Sequence, residues 1–408
     1  MIQTMKGTRD LYPEDYLTVK KVLTIWEKVC NKYGFMQYDG PIVENTKLWE
    51  KKGEISEQMF IIKNRSEKSD EFTIRPEMTP TLARMIAQRP EIKKPIKLFS
   101  IPICMRYERP QKGRLREFYQ LNVDSLFETE NSNLESEILM LAIDILKESG
   151  LTQKDFSLRV SHRGFLNSFL EKYDQKSEIL SLIDKFDKIG ESNFTLSLKD
   201  LKLKDKEIEE ILKLIKSDNI EDMKNIDNKS YLELKEIIEN LPKEYKKYVE
   251  FDPKIIRGLG YYTGIIFEGF DKSKSLRAIL GGGRYDNLVE AYGGQKVMGI
   301  GFGMGDVVFE ELLKEKGLIE NQYNIDYYMI TMSNSKEEID FSNIVALELR
   351  KKGKNVFVNY KSKGMSKEIK NSMNFNCKKM IIIGEEEVKK NFYTLKDLDN
   401  KSQEIIYL

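Results

Sequence analysis

Four arginines, Arg106, Arg109, Arg114 and Arg116, crowd the segment Arg106-Tyr107-Glu108-Arg109-Pro110-Gln111-Lys112-Gly113-Arg114-Leu115-Arg116-Glu117-Phe118. A guanidinium is planar and presents paired N–H donors that match the oxygens of a phosphate or a carboxylate, so the cluster is suited to holding an anion. The flanking residues alternate as strands do. Ile101, Ile103 and Met105 fall on one face, with Arg106 and Glu108 on the other. Downstream, Phe118, Gln120, Asn122 and Asp124 share a face opposite Leu121 and Val123. Two such strands build a polar floor edged by arginine; a charged surface hairpin is the competing reading, and this segment alone does not decide between them. Gly299, Gly301, Gly303 and Gly305 also alternate, leaving one strand face without side chains. That permits either a close-lying ligand or tight packing against a helix.

Other chemistries are limited by scarcity. His162 is the only histidine, which leaves little for a histidine-based triad or a multi-histidine metal site, and it reads as an ordinary polar residue. Cys30, Cys104 and Cys377 have no CxxC spacing, so neither a disulfide framework nor a structural metal is expected, and a reducing compartment is. Charged residues make up 33% of the 408 and hydrophobic ones 40%, as in a soluble globular protein of two or three domains. The net charge of +1 confines any nucleic-acid surface to a local patch. Residues 1–10 contain no apolar signal core and no stretch has the length of a membrane span, so a cytoplasmic protein without a membrane partner is expected.

Periodicity predicts the elements that must position these residues. Leu17–Tyr33 reads as a helix stopped by Gly34, Phe35–Val43 as a strand, and Leu82–Ala87 as a helix. A β stretch from Lys97 to Phe127 breaks near Gln111–Gly113, and Leu134–Glu148 is an amphipathic helix. Phe165–Lys246 is dominated by Lys, Glu, Leu and Ile at helical periods, an all-helical insertion whose lysines form a solvated face. β character returns at Lys254, ends in a strand with the alternating glycines, and gives way to a helix over Val307–Lys316. After a linker near Glu320–Asn324, strands and helices alternate as Tyr327–Thr331, Glu337–Lys352, Asn355–Tyr360, Lys367–Met373 and Lys379–Ile383, a small α/β domain with a mostly parallel sheet.

The arginine segment resembles motif 2 of the class II aminoacyl-tRNA synthetases, in its histidyl version. Other segments agree with that family. Lys6-Gly7-Thr8-Arg9-Asp10 with Pro13 resembles its opening, Pro41-Ile42-Val43-Glu44 its motif 1, and Thr73-Ile74-Arg75-Pro76-Glu77-Met78-Thr79 its substrate-amine loop. Arg257-Gly258-Leu259-Gly260-Tyr261-Tyr262-Thr263-Gly264 is similar to the histidine-specific signature, and Gly281-Gly282-Gly283-Arg284-Tyr285-Asp286 follows it. The glycine strand resembles that of motif 3.

The resemblance covers nearly the whole chain. It implies a class II catalytic domain on an antiparallel sheet over 1–164 and 247–320, a helical insertion over 165–246 and an α/β anticodon-binding domain over 325–408. It implies a homodimer through motif 1, with L-histidine, ATP, Mg²⁺ and tRNA(His) as partners. Carried over by motif, Glu77, Thr79 and Gln120 take the α-ammonium of histidine. Asp124 and Tyr262 take its imidazole, and Tyr261 closes the pocket. Arg106 and Arg257 serve the substrate carboxylate and the α-phosphate as the catalytic pair. Glu108, Arg114, Gly303 and Gly305 complete the ATP site, and Arg109, Gln111 and Arg116 meet the tRNA acceptor end.

The chain departs from the family at three places. Motif 3 ordinarily carries an ATP-clamping arginine, but this chain reads Gly305-Asp306-Val307-Val308, with Asp306 placed as a helix N-cap. Arg277 and Arg284 are the candidate substitutes. Gly260 stands where the family has aspartate, and Asp124 where glutamate is commoner. A related paralogue without aminoacylation activity, the regulatory subunit of ATP phosphoribosyltransferase, is the principal alternative. It lacks the C-terminal tRNA-reading domain, which Lys379-Met380-Ile381-Ile382-Ile383-Gly384-Glu385 and Lys396-Asp397-Leu398 here resemble. A ligand-binding module without chemistry would have no use for Arg106, Arg114 and Arg257.

Overall fold

A computed structural model describes residues 2–49, 54–63, 71–256, 261–273, 275–319 and 325–408. The chain divides into two compact units, Met1–Ile319 and Glu320–Leu408. The first unit is built on a central sheet of nine strands. Its order is Met36–Gln37, Ile96–Ser100, Glu117–Phe127, Met298–Gly305, Leu280–Tyr285, Ile265–Asp271, Phe156–His162 and Val249–Phe251, with Ile103–Met105 pairing the start of Glu117–Phe127. All pairings are antiparallel except those of the two edge strands, Met36–Gln37 and Val249–Phe251.

The expected strand over Phe35–Val43 is in fact two. Met36–Gln37 joins the large sheet, and Val43–Asn45 enters a separate sheet with Phe60–Ile62 and Phe72–Ile74. Gly40 and Pro41 separate them, and proline cannot supply a ladder N–H. In Ile103–Met105 the buried residue is Cys104 while Ile103 is exposed, so the apolar side chains expected on one face do not mark the core side.

One face of the sheet carries the main core. Leu121 and Val123, then Ile300, Phe302 and Met304 from the neighbouring strand, are buried among the helices Pro13–Lys32, Ser132–Glu148 and Asp306–Glu315. The first helix begins with Pro13 in its opening turn, has Glu14 and Asp15 where the positive end of the dipole favours acids, and is followed by Gly34 at φ 74°. Alternation therefore leaves Gln120, Asn122 and Asp124 on the opposite face, where the site forms. Farther along that face, the helix Thr79–Ala87 buries Leu82, Ala83 and Ile86 against Leu126, Ile266 and Tyr285.

From Arg163 to Lys246 the described elements are all helical. Asp205–Ile215 shows why: Ile208, Ile211, Leu214 and Ile215 recur along one buried stripe while Lys206 and Lys213 face solvent. The lone histidine sits at the first helix of this region. Its Nδ1 accepts the Gly164 N–H at 3.1 Å, capping Arg163–Leu170, and its Nε2 lies 3.1 Å from the Glu233 carboxylate. His162 is thus a buried structural residue.

The second unit is a five-stranded sheet in the order Val356–Asn359, Tyr327–Thr331, Lys379–Ile383, Phe392–Asp397, Ser402–Tyr407. The first three strands are parallel and joined by the helices Lys336–Lys351 and Met365–Asn374; the last two form an antiparallel hairpin that periodicity did not reveal.

Candidate active site

A cavity of about 500 Å³ opens over the polar face of the central sheet. Its floor is Gln120, Asn122 and Asp124, opposite Gly305, Gly303 and Gly301 in strand register. A methyl group on Gly301 would lie 2.3 Å from Asp124 Oδ1 and 2.3 Å from the Val123 carbonyl oxygen; one on Gly303 would lie 2.4 Å from Gln120 Nε2. The missing side chains therefore make room for the floor residues of the next strand, not for a packed helix, and Gly303 and Gly305 also line the cavity.

At one end the wall is aromatic. Tyr261 and Tyr262 pack at a tilt of 44° with centroids 4.6 Å apart, and Tyr285 meets Tyr261 edge-on at 6.0 Å. The Tyr285 hydroxyl donates to Asp124 Oδ1 at 2.6 Å. Burial, reinforced by the Asp124 charge, holds the Tyr285 phenol far above its ordinary range, so it stays a donor at any working pH and fixes the carboxylate. A fixed, buried carboxylate beside aromatic rings can accept an N–H from a small polar ring. Tyr285→Phe is accordingly expected to raise the Michaelis constant for such a ligand about tenfold, the cost of one hydrogen bond, with turnover little changed. Steady-state kinetics with that ligand varied checks this; an unchanged constant would mean that Asp124 is oriented without Tyr285.

The middle of the cavity is acidic. Glu77 and Thr79 are both buried at the start of the helix Thr79–Ala87, and Thr79 Oγ1 accepts from Asn122 Nδ2 at 3.3 Å. Arg75, from the same motif, is a strut. It donates to Asp39 Oδ1 and the Gly40 carbonyl, both at 2.7 Å, and to the Ile103 carbonyl at 3.0 Å. Glu44 of the motif 1 strand takes Arg84 at 2.7 Å and Thr81 at 3.1 Å, which anchors the same helix.

The other end is cationic. Arg106 donates to the Pro76 carbonyl at 2.9 Å and to Gln120 Oε1 at 3.4 Å, and lies 5.2 Å over the Phe118 ring. Arg114 pairs with Glu108, and Arg277, Val307 and Val308 also line the cavity. Arg109 and Gln111 are exposed on the connecting loop, which Gly113 turns at φ 72°. Arg116 does not line the cavity. Its guanidinium donates to the Glu108 carbonyl at 3.0 Å and the Lys6 carbonyl at 3.2 Å and covers the Tyr107 ring at 4.3 Å, so it holds the loop against the N-terminal segment. Arg257 and Gly260 lie outside the described residues.

Two expectations near the glycine strand are corrected. Asp306 is the first residue of its helix, whose cap is Gly305, and makes no capping bond. It is fully buried, forms an ion pair with Arg9 and accepts the Tyr119 N–H at 3.1 Å. Burial pushes its carboxyl up, against the pull of Arg9. Arg284 is withdrawn from the cavity, donating to Asp286 at 3.2 Å and Glu135 at 3.4 Å and lying 3.5 Å from Glu233. Sequence reasoning placed Asn122 on the correct face without a role, and missed Tyr285 although it stands inside a recognised motif.

Residues 7–305 match the histidyl-tRNA synthetase family profile, and 326–408 match an anticodon binding domain. The histidine–tRNA ligase of Leptospira biflexa is 35% identical over 98% of this chain and 94% of that protein. That of Thermoplasma volcanium is 33% identical over 100% of this chain and 96% of its own length. The crystal structure of histidyl-tRNA synthetase from Nostoc sp. superposes with a TM-score of 0.84 at 22% identity, covering 100% of this chain and 97% of that one, a likeness of fold. With the sequence match running through both units, this chain belongs to the histidyl-tRNA synthetase family.

Proposed function

We propose that the protein is a histidine–tRNA ligase that converts L-histidine and ATP to histidyl-adenylate and pyrophosphate, then transfers histidine to tRNA(His). The observation that carries this is one cavity holding a tyrosine-fixed carboxylate, a buried Glu77–Thr79 pair and, at the far end, Arg106 and Arg114. Those three regions match, in order, an imidazole, an α-ammonium and a polyphosphate. Asp124 and Tyr262 bind the two ring nitrogens, with Tyr261 covering them. Glu77 accepts the ammonium with Thr79 and Gln120. An imidazole-sized apolar side chain is rejected because it leaves these buried polar groups unpaired.

The histidine carboxylate is ionised at neutral pH, so no base is needed. One of its oxygens forms a bond to the α-phosphorus as the bond to the pyrophosphate oxygen breaks. What the chain supplies is alignment and fixed positive charge, from Arg106 and Arg257 at the α-phosphate and Arg114 at the outer phosphates. Glu108 receives the adenine amino group, and Gly303 and Gly305 let the nucleotide lie against the strand. Mg²⁺ entering with the nucleotide would neutralise the outer phosphates, and Glu268, one of the carboxylates on the cavity wall, would help to hold it, in keeping with a cation held mostly by phosphate and water.

The exposed Arg109 and Gln111 meet the tRNA acceptor end, with Arg116 shaping their loop from within, and the second unit reads the anticodon. A homodimer is supported by the small sheet, one face of which carries Val43, Phe60, Ile62, Phe72 and Ile74 with Val43 and Phe72 exposed in the single chain. No described helix is long and apolar enough to cross a membrane, and we place the enzyme in the cytoplasm.

Histidine-dependent ATP–pyrophosphate exchange, with the other amino acids as controls, tests the reading. Exchange with histidine alone, followed by charging of tRNA(His), supports it. Histidine binding without exchange would favour the non-aminoacylating paralogue; the match of 326–408 to an anticodon binding domain weighs against that paralogue.

A further inference from the structure

Among the described residues three cations line the cavity, and two are already engaged: Arg106 by Pro76 and Gln120, and Arg114 by Glu108. The third, Arg277, makes no hydrogen bond or ion pair with any described residue. Backbone hydrogen bonds on either side of it tie the chain to the sheet. The buried Asp271 carboxylate accepts the N–H groups of Ser275 at 3.0 Å and Leu276 at 3.2 Å, and Ile279 N–H donates to the Gly269 carbonyl at 2.8 Å. Arg277 thus follows a turn pinned from inside the sheet.

The turn is also tied to the arginine loop. Glu315, at the end of the helix Asp306–Glu315, takes Lys112 Nζ on one oxygen at 2.8 Å and Ser275 Oγ on the other at 3.1 Å. The loop bearing Arg114 and the turn preceding Arg277 therefore meet at one carboxylate. Val307 and Val308 give the same cavity an apolar stretch of wall, and Val308 sits 3.4 Å from the Cβ position of Gly113, the neighbour of Arg114 in the chain. Arg277 is near enough to Arg114 that, after burial, its charge is the leading influence pushing the Arg114 guanidinium below its ordinary range, against the pull of Glu108. Two guanidinium groups held close beside an apolar wall repel each other until an anion lies between them.

We propose that Arg277, acting with Arg114, is the second cationic contact for the outer phosphates of ATP and takes the role that the apolar Val308 cannot fill. This rests on the reading of the cavity as an ATP site. Arg284, the other candidate substitute, is excluded because its guanidinium is bound to Glu135 and Asp286 away from the cavity. An arginine–phosphate bond is directional and charge-assisted, so its loss weakens nucleotide binding without touching the amino-acid end.

The test is Arg277→Ala and Arg277→Lys beside the wild-type enzyme, in two assays without tRNA. In histidine-dependent pyrophosphate exchange, Arg277→Ala is expected to raise the Michaelis constant for ATP about tenfold or more while that for histidine stays within about twofold, with Arg277→Lys intermediate. In calorimetric titration with Mg-ATP, the same order of affinities is expected. Equal ATP constants in wild type and Arg277→Ala would overturn the proposal. So would a defect confined to the Michaelis constant for tRNA in the charging reaction, which would make Arg277 a nucleic-acid contact. Absence of exchange in the wild type would overturn the ligase reading; the Mg-ATP titration would then still decide the role of Arg277, for or against.

Discussion

Arg106→Ala is expected to lower the turnover of histidine-dependent pyrophosphate exchange by about 10²–10³-fold, with a much smaller change in histidine affinity. As the carboxylate oxygen attacks the α-phosphorus, negative charge accumulates on the phosphoryl oxygens, and a cation already in place stabilises that charge without having to reorganise. Arg106 is in place because the Pro76 carbonyl holds its Nε, Gln120 holds one terminal nitrogen and Phe118 supports the guanidinium plane. Arg106→Lys keeps the charge but has no Nε to be held and no fork, so most of the loss should remain. Pre-steady-state adenylate formation separates this from slow product release. Near-normal turnover in Arg106→Ala would assign the charge stabilisation to other groups.

Arg284→Met is expected to cost about 3–5 kcal/mol of stability, because it leaves buried carboxylates without their cation. Arg284 joins three parts of the first unit: Glu135 on the helix Ser132–Glu148, Glu233 on the helix Asn228–Glu239 of the inserted region, and Asp286 on its own hairpin. Burial already pushes the Glu135 carboxyl up to about 7, with Arg284 pulling it back down. A raised acid binds a proton in the folded state that it has released in the unfolded one, so this group's contribution falls as pH rises from the ordinary carboxylate range to about 7. Removing Arg284 raises it further, and the loss of stability should be larger at pH 8 than at pH 5. Equilibrium urea unfolding at both values measures this; a loss under about 1 kcal/mol at both would show that the acids are neutral or solvated without it. A kinetic effect should accompany it. Thr263, next to Tyr262, donates its N–H to the Arg284 carbonyl at 2.8 Å and its hydroxyl to Asp286 at 2.8 Å, so the tyrosine wall should loosen and the histidine constant rise.

The sequence made the site's face legible because a strand's alternation is local: the buried Leu121 and Val123 dictate where Gln120, Asn122 and Asp124 point. The insertion was legible for the same reason, as its stripes repeat within single helices. What depended on partners far along the chain was not. Arg9 and Asp306 are separated by 297 positions, and without that pairing Asp306 reads as a cap. Arg116 and Arg114 stand two residues apart in one motif, yet one faces the cavity and the other binds backbone carbonyls of its own loop and of Lys6. Arginine content marked the loop as anion-binding; only geometry separates ligand from strut. The hairpin Phe392–Tyr407 escaped because its outer strand is exposed along nearly its whole length and shows no apolar alternation.

The paired strands of the floor also constrain how this protein can change over evolutionary time. Alanine at Gly301 collides with the backbone oxygen of Val123, which no substitution at position 124 can remove, so the aspartate half of the floor is closed to single-step drift. Alanine at Gly303 meets only the flexible tip of Gln120. A shorter residue at 120 would admit it, and the two positions should therefore co-vary among descendants. The end of the pocket that names the amino acid is frozen, while the part beneath the groups common to all amino acids keeps room to diverge.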